Sequence, residues 1–306
     1  MTRVSTGEGW NSALLNLMNA QQRQFDAQNR VSSEKVATDL KGYGRSSETL
    51  TAFKSAQARL NGFVANGEAV ASRLTSQDLG LTSLADSADG ARQAINDALA
   101  SGRGDALMVD LEGRFQAAMD ALNAKHEGRF LFSGGRTDTK PVNADTLSDL
   151  TAAPTVASLI VNDGLKAASR LDDFTIVETG FLANELGTDV MEAFKAVQAF
   201  HETTPFTGEL TDAQRTFLAG ITASFQAAHE DATNAAARNG SLQTRVDTHV
   251  TSQKDQADSL TEIIGKRTDV DMAEAITKLQ QAQLSVQASA QVIAQLRGVS
   301  LLDLLR

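Results

Sequence analysis

Residues 53–98 decide the fold, and they read FKSAQARLNGFVANGEAVASRLTSQDLGLTSLADSADGARQAINDA. Apolar or small side chains return here at alternating intervals of three and four residues, interrupted only by Gly67 and Gln77. A sustained pattern of this kind predicts a helix that packs along its length on another helix. At about 1.5 Å per residue, the stretch predicts a helix roughly 70 Å long. The positions are Phe53, Ala56, Leu60, Phe63, Gly67, Val70, Leu74, Gln77, Leu81, Leu84, Ala88, Ala91, Ile95 and Ala98.

The C-terminal half repeats this pattern. Thr211 and Gln214 have the spacing of a capping box, which predicts the start of a helix. A stripe with three- and four-residue spacing follows over residues 218–263, and another follows Asp271. Many positions of these stripes are Ala or Gln, which predicts a thin contact within one molecule and a close helix approach in an assembly.

Residues 1–40 keep the same spacing, but several of its positions are amides or hydroxyls. We therefore expect this segment to need a partner to be a stable helix. The sequence predicts that both ends of the chain form an assembly interface. Its predicted residues are Leu15, Met18, Phe25, Val36, Met272, Ile276, Leu279, Val286, Ile293, Leu296, Leu301 and Leu302.

The middle of the chain has a different composition. All three prolines lie between positions 141 and 205, and residues 140–189 carry three basic and eight acidic side chains. Arg129-Phe130-Leu131-Phe132 predicts a strand that enters a glycine turn, and Asn162-Asp163-Gly164 is typical of a second turn. We read this part as a small β-containing insertion of about 50 residues, carried on a helical rod.

The predicted fold class is mainly α, with a long antiparallel helical bundle or coiled-coil rod formed by both termini. We expect three parts. Residues 1–40 plus 263–306 form a terminal helical assembly domain, residues 41–139 plus 190–262 form a helical rod domain, and residues 140–189 form a small outer domain that contains β-structure.

Composition excludes several classes of function. The 306 residues have a net charge of −10, which disfavours nucleic acid and anionic membrane surfaces as partners. There is no cysteine, so disulfides and thiolate chemistry are absent. No apolar run approaches the ~18 residues of a membrane span. The first residues, MTRVSTGEGW, lack the apolar stretch of a Sec signal peptide.

Motifs for catalysis or for cofactor binding are weak. The four histidines are far apart in sequence and form no HExxH arrangement. Gly42-Tyr43-Gly44 lacks the strand and third glycine of a nucleotide loop, so we expect a flexible joint. Asp269 and Asp271 lack the spacing of a calcium loop and are better explained as caps of a following helix. We expect no catalytic, cofactor-binding or metal-binding residues, and no enzyme.

Four stretches together resemble the flagellin superfamily. They are RVST at 3–6 with the polar helix that follows it, GRFLFSG at 128–134, DVDMAEAI at 269–276 and SLLDLLR at 300–306. Their order and their placement along the chain are similar to those of the superfamily, and most closely to its hook–filament junction members.

This resemblance implies a structural subunit of the bacterial flagellum. The implied partners are other copies in a ring or helical oligomer, a neighbouring hook-associated protein, flagellin, and the flagellar type III export apparatus with its chaperone. The implied location is extracellular, at the junction between hook and filament. Two alternatives stay open, namely the filament flagellin itself and a helical adaptor or regulatory protein.

Overall fold

A computed structural model describes residues 2–303, with side chains described from 8 to 296. The fold is mainly α, as predicted. Two short 3₁₀ helices, at Leu40–Ser46 and Val156–Leu159, accompany the longer elements. The helices are α1 (Thr2–Ser33), α2 (Ser47–Ser101), α3 (Leu107–Leu122), α4 (Leu147–Ala152), α5 (Ala183–Thr203), α6 (Asp212–Thr268) and α7 (Met272–Asp303). The strands are β1 (Lys125–His126), β2 (Arg129–Phe130), β3 (Ala168–Arg170) and β4 (Ile176–Glu178).

The chain forms two compact units. The terminal unit contains residues 1–59 and 255–306, and the central unit contains residues 60–254. Among residues 2–303, none of the helices combines the length and the apolar content that crossing a lipid bilayer requires.

The predicted stripe of α2 forms one side of the central unit's core. Every position of the stripe from Gly67 to Ala98 is buried. On α6, the stripe positions Leu218, Phe225 and Val246 are completely buried. The heptad reading of both helices is therefore confirmed in this unit.

Three phenylalanines from three helices lie at the centre of this core. The ring of Phe194 on α5 meets Phe115 on α3 edge to face at a centroid distance of 5.5 Å, and it meets Phe225 on α6 at 4.9 Å. Edge-to-face pairs add about 0.5–1.5 kcal/mol each beyond the area they bury. They hold α3, α5 and α6 in one cluster.

The insertion shares this cluster. Val142, Leu147, Leu150 and Val156 are buried in the same group of apolar residues as α3 and α5. Its helix α4 begins with a capping box between Thr146 and Asp149. The insertion is thus continuous with the helical core of the central unit.

Two antiparallel strand pairs supply the predicted β-structure, β1 with β2 and β3 with β4. The strand predicted over 129–132 ends at Phe130, because Leu131 and Phe132 turn inward and are buried. Gly80 on α2 leaves the space for the Phe132 ring, since a side chain there would begin 3.1 Å from it.

The segment predicted to be a flexible joint has a defined structure. Asp39 caps the 3₁₀ helix Leu40–Ser46 by accepting a hydrogen bond from the Gly42 amide at 2.9 Å. The Tyr43 hydroxyl donates to the Ala37 carbonyl at 2.7 Å. Gly44 has a φ of +53°, which a side chain would disfavour. These bonds order the connection between α1 and α2.

Candidate assembly surface

Helices α1 and α7 form an antiparallel pair within the terminal unit, joined where α1 ends and α7 begins. The Val36 amide donates to the Thr268 carbonyl at 2.7 Å, and the Val270 amide donates to the Glu34 carbonyl at 3.0 Å. Asp271 caps α7, because its carboxylate accepts from the Ala273 amide at 2.9 Å. The expectation that the acids at 269–271 serve as helix caps is confirmed for Asp271.

An ion pair closes the same junction. The Lys35 Nζ lies 2.5 Å from the Asp269 Oδ1. The hydrogen bond from Lys35 lowers the pKa of the Asp269 carboxyl, and that bond raises the pKa of Lys35. Both groups are exposed, so solvent screens the pair and its contribution to stability is small.

Alanines form the contact line between the two helices. Ala13, Ala20 and Ala27 are buried at intervals of seven residues on α1, and Ala275 and Ala282 are buried at the same interval on α7. Small side chains on a helix contact line let the backbones approach closely, but a buried methyl contributes only about 0.8 kcal/mol. This alanine seam therefore pairs the helices while burying little apolar surface.

Large apolar side chains of α1 lie outside the seam. Leu15, Met18 and Phe25 are 60%, 58% and 59% exposed. At 100° per residue they share a face on nearly the opposite side of α1 from the seam alanines. Exposed apolar side chains that share one face are candidates for an interaction surface.

The predicted residues of α7 divide into two groups. Met272 and Ile276 are exposed. Val36, from the junction, is half-buried, and so are four residues of α7, namely Leu279, Val286, Ile293 and Leu296. The side chains of Leu301 and Leu302 lie outside the described residues. Participation of all these residues in assembly stays a prediction.

Sequence reasoning missed part of this surface. Leu14 on α1 and Leu284 and Val292 on α7 are also exposed. It also missed the seam, because a search for large apolar residues passes over alanine. The seven-residue spacing of Ala13, Ala20 and Ala27 was the signal that could have found it.

A groove of about 650 Å³ runs along the helix pair. Its walls carry charges of both signs, with Arg23, Asp26 and Arg30 on α1 and Glu274 and Lys278 on α7. The Lys278 ammonium pairs with Glu274 at 2.6 Å. Side chains of both charges along a groove are suited to packing against another helix of alternating charge.

One family model matches the chain. Residues 222–305, which include most of α6 and all of α7, match the model for the bacterial flagellin C-terminal helical region. The resemblance to the flagellin superfamily is confirmed. The matched region contains the α7 side of the alanine seam, Ala275 and Ala282, together with the Asp271 cap and the exposed residues of α7.

Solved structures of other proteins share the fold. A protein of Vibrio parahaemolyticus described as a flagellar hook-associated protein aligns with a TM-score of 0.61 at 14% identity, covering 76% of this chain and 99% of that one. FlgL of Bacillus cereus aligns with a TM-score of 0.53 at 16% identity, covering 70% and 97%. No curated protein matches in a sequence search. The likeness to these two structures shows a shared fold.

Proposed function

We propose that this chain is a structural subunit of the bacterial flagellum that joins the hook, through the preceding hook-associated protein, to the flagellin filament. The observation that carries the proposal is the outward placement of Leu15, Met18 and Phe25 on a helix whose own partner contact uses alanine. A chain that keeps its large apolar side chains outside its internal contacts is built to bury them between molecules.

The shared fold with a hook-associated protein and with FlgL supports the junction position. We assign assembly to residues 1–40 plus 263–306, which form a ring or helical oligomer of copies. Residues 41–139 plus 190–262 then form a helical shell, and residues 140–189 face outward. Under this proposal the chain is extracellular. The flagellar type III apparatus exports it with the help of a chaperone.

Filament flagellin is the second candidate, because the matched family model describes a flagellin region. Loss of a junction subunit and loss of a filament subunit have different consequences for the flagellum. A junction subunit presents a surface on which flagellin nucleates, whereas a filament subunit is the material that polymerises.

Adding purified flagellin to cells that lack this chain distinguishes a junction subunit from a filament subunit. For a junction subunit, we expect bare hooks beside soluble flagellin, with filaments restored by adding this chain first. Filaments that grow on those hooks without this chain would overturn the junction assignment and support the filament one. A labelled copy should mark one spot at each hook tip and leave the filament unlabelled.

A further inference from the structure

A cavity of about 510 Å³ lies in the central unit, between α2 and the β1–β2 hairpin. Two arginines, Arg73 on α2 and Arg129 on β2, line it together with the hydroxyl residues Thr137 and Ser169. Val70 and Leu131 supply an apolar floor, and both are buried. None of these residues belongs to the assembly surface of the terminal unit.

Arg73 is a half-buried cation without a partner. Among residues 8–296, no group accepts a hydrogen bond from its guanidinium, and no carboxylate forms an ion pair with it. Burial lowers the pKa of Arg73 below its ordinary value, and no carboxylate acts against that shift. A buried charge without a partner is costly.

Two other cations of the central unit do have partners. Arg92 pairs with Asp89, and Lys166 pairs with Glu185 at 2.9 Å. Glu127 also lines the cavity, but it makes no ion pair with either arginine among the described residues. With two guanidinium groups and one carboxylate, the cavity has one positive charge in excess.

The cavity wall is held in place by its own hydrogen bonds. The His126 Nδ1 lies 2.9 Å from the Ser76 hydroxyl of α2, and the Phe130 amide donates to the Thr137 carbonyl at 2.8 Å. Lys125 covers the Phe130 ring at 4.4 Å from its centroid. The hairpin is therefore fixed over Arg73 before any ligand arrives.

We propose that this cavity binds a carboxylate carried on a compact apolar group. The guanidinium groups of Arg73 and Arg129 present planar forks of N–H donors that match a carboxylate. One excess positive charge suits a monoanion better than a phosphate dianion, and the floor of Val70 and Leu131 accepts the apolar part. The carboxylate comes from a small free acid or from an acidic side chain of another copy.

Benzoate is a suitable probe, since it joins a carboxylate to a compact apolar ring. Titration of the full-length chain, followed by calorimetry and by arginine side-chain NMR signals, should show saturable binding. We expect Arg73→Gln to weaken it by about tenfold or more, Arg73→Lys to weaken it less, and Arg245→Gln, at an exposed position on α6, to leave it unchanged.

Sedimentation distinguishes a small free acid from an acidic side chain of another copy as the source of the carboxylate. Concentration-dependent association that both benzoate and Arg73→Gln abolish identifies a carboxylate of another copy, whereas benzoate binding to a chain that stays monomeric identifies a free acid. Absence of saturable binding to the wild type overturns the proposal. So does unchanged binding by an Arg73→Gln chain whose unfolding midpoint matches that of the wild type. Neither result bears on the flagellar role.

Discussion

The two units use the same helical period with opposite choices of side chain. In the central unit, the α2 contact line contains Leu74, Leu81, Leu84 and Ile95, all of them buried. In the terminal unit, the α1–α7 contact line contains alanines, while Phe25 on the same helix is 59% exposed. Burial of a large apolar side chain stabilises by about 1.5–3 kcal/mol, and burial of an alanine methyl by about 0.8 kcal/mol.

This difference indicates that the residues that stabilise the fold and the residues available for assembly lie in different units. The central unit buries a cluster of aromatic and branched residues within one molecule, and this cluster stabilises its fold without a partner. The terminal helices pair through a thin alanine seam and leave their large side chains accessible. Each prediction below changes a residue of one unit and states the result expected from its role there.

The largest effect is expected in the phenylalanine cluster. Phe194 is completely buried and contacts two other rings, so Phe194→Ala should lower the free energy of unfolding of the monomer by about 3–5 kcal/mol. Phe25→Ala should change it by about 0.5 kcal/mol or less. Urea unfolding of both variants measures the difference, and equal losses would contradict the contrast between the units.

An intermediate effect is expected at the alanine seam. Ala20→Leu places three extra carbons in a contact that fits a methyl group, which should destabilise the helix pair by about 1–3 kcal/mol. Hydrogen exchange should then accelerate in α1 and α7 and stay unchanged in α3 and α5. Ala288→Leu, at an exposed position on α7, is the matched control, and equal acceleration by both would argue against the seam.

A smaller effect, and one of opposite sign, is expected when Gln77 is replaced. Its side chain is completely buried in the α2 stripe, and among the described residues neither amide atom has a hydrogen-bond partner. Because an unsatisfied buried polar group costs about 1–3 kcal/mol, Gln77→Leu should raise the melting temperature. Asn239→Leu should gain less, since it removes a hydrogen bond of 2.9 Å to the Leu74 carbonyl. A lower melting temperature for Gln77→Leu would show that the amide has a partner in solution.

The smallest effect is expected at the Lys35–Asp269 pair. A carboxyl whose pKa is lowered by folding adds stability above its unfolded pKa, and this stability is lost as pH falls through the folded pKa. The raised pKa of Lys35 adds stability that is lost only in the alkaline range. Lys35→Met should therefore move the NMR-measured pKa of Asp269 upward. An unchanged pKa would contradict the ion pair.

Much of the fold could be predicted from the heptad spacing, because position in a helix determines which side chains meet. The stripe from Gly67 to Ala98, the capping box at Thr211 and the Asp271 cap all follow from local patterns. The packing of Val142 and Leu147 into the helical core could not be predicted this way, since it depends on contacts between residues far apart in sequence.

The candidate assembly surface was only partly predictable. Leu15, Met18 and Phe25 are large apolar residues on one face of α1. The sequence does not indicate whether that face packs within the chain or is exposed, and the structure shows that it is exposed. The structure shows that alanines occupy the contact within the chain. The remaining question is whether the exposed residues are buried between molecules.

That question is tested most directly by one count, the number of filaments per cell when Phe25→Asp replaces the wild type. The control is Leu79→Asp, which changes an exposed apolar residue of the central unit that is 70% exposed. Both variants are first recovered from the medium as folded monomers with wild-type unfolding midpoints, which separates assembly from export and stability. An unpaired charge buried between helices is costly. We expect almost no filaments with Phe25→Asp and normal numbers with Leu79→Asp; normal numbers with Phe25→Asp would contradict the burial of Phe25 between molecules.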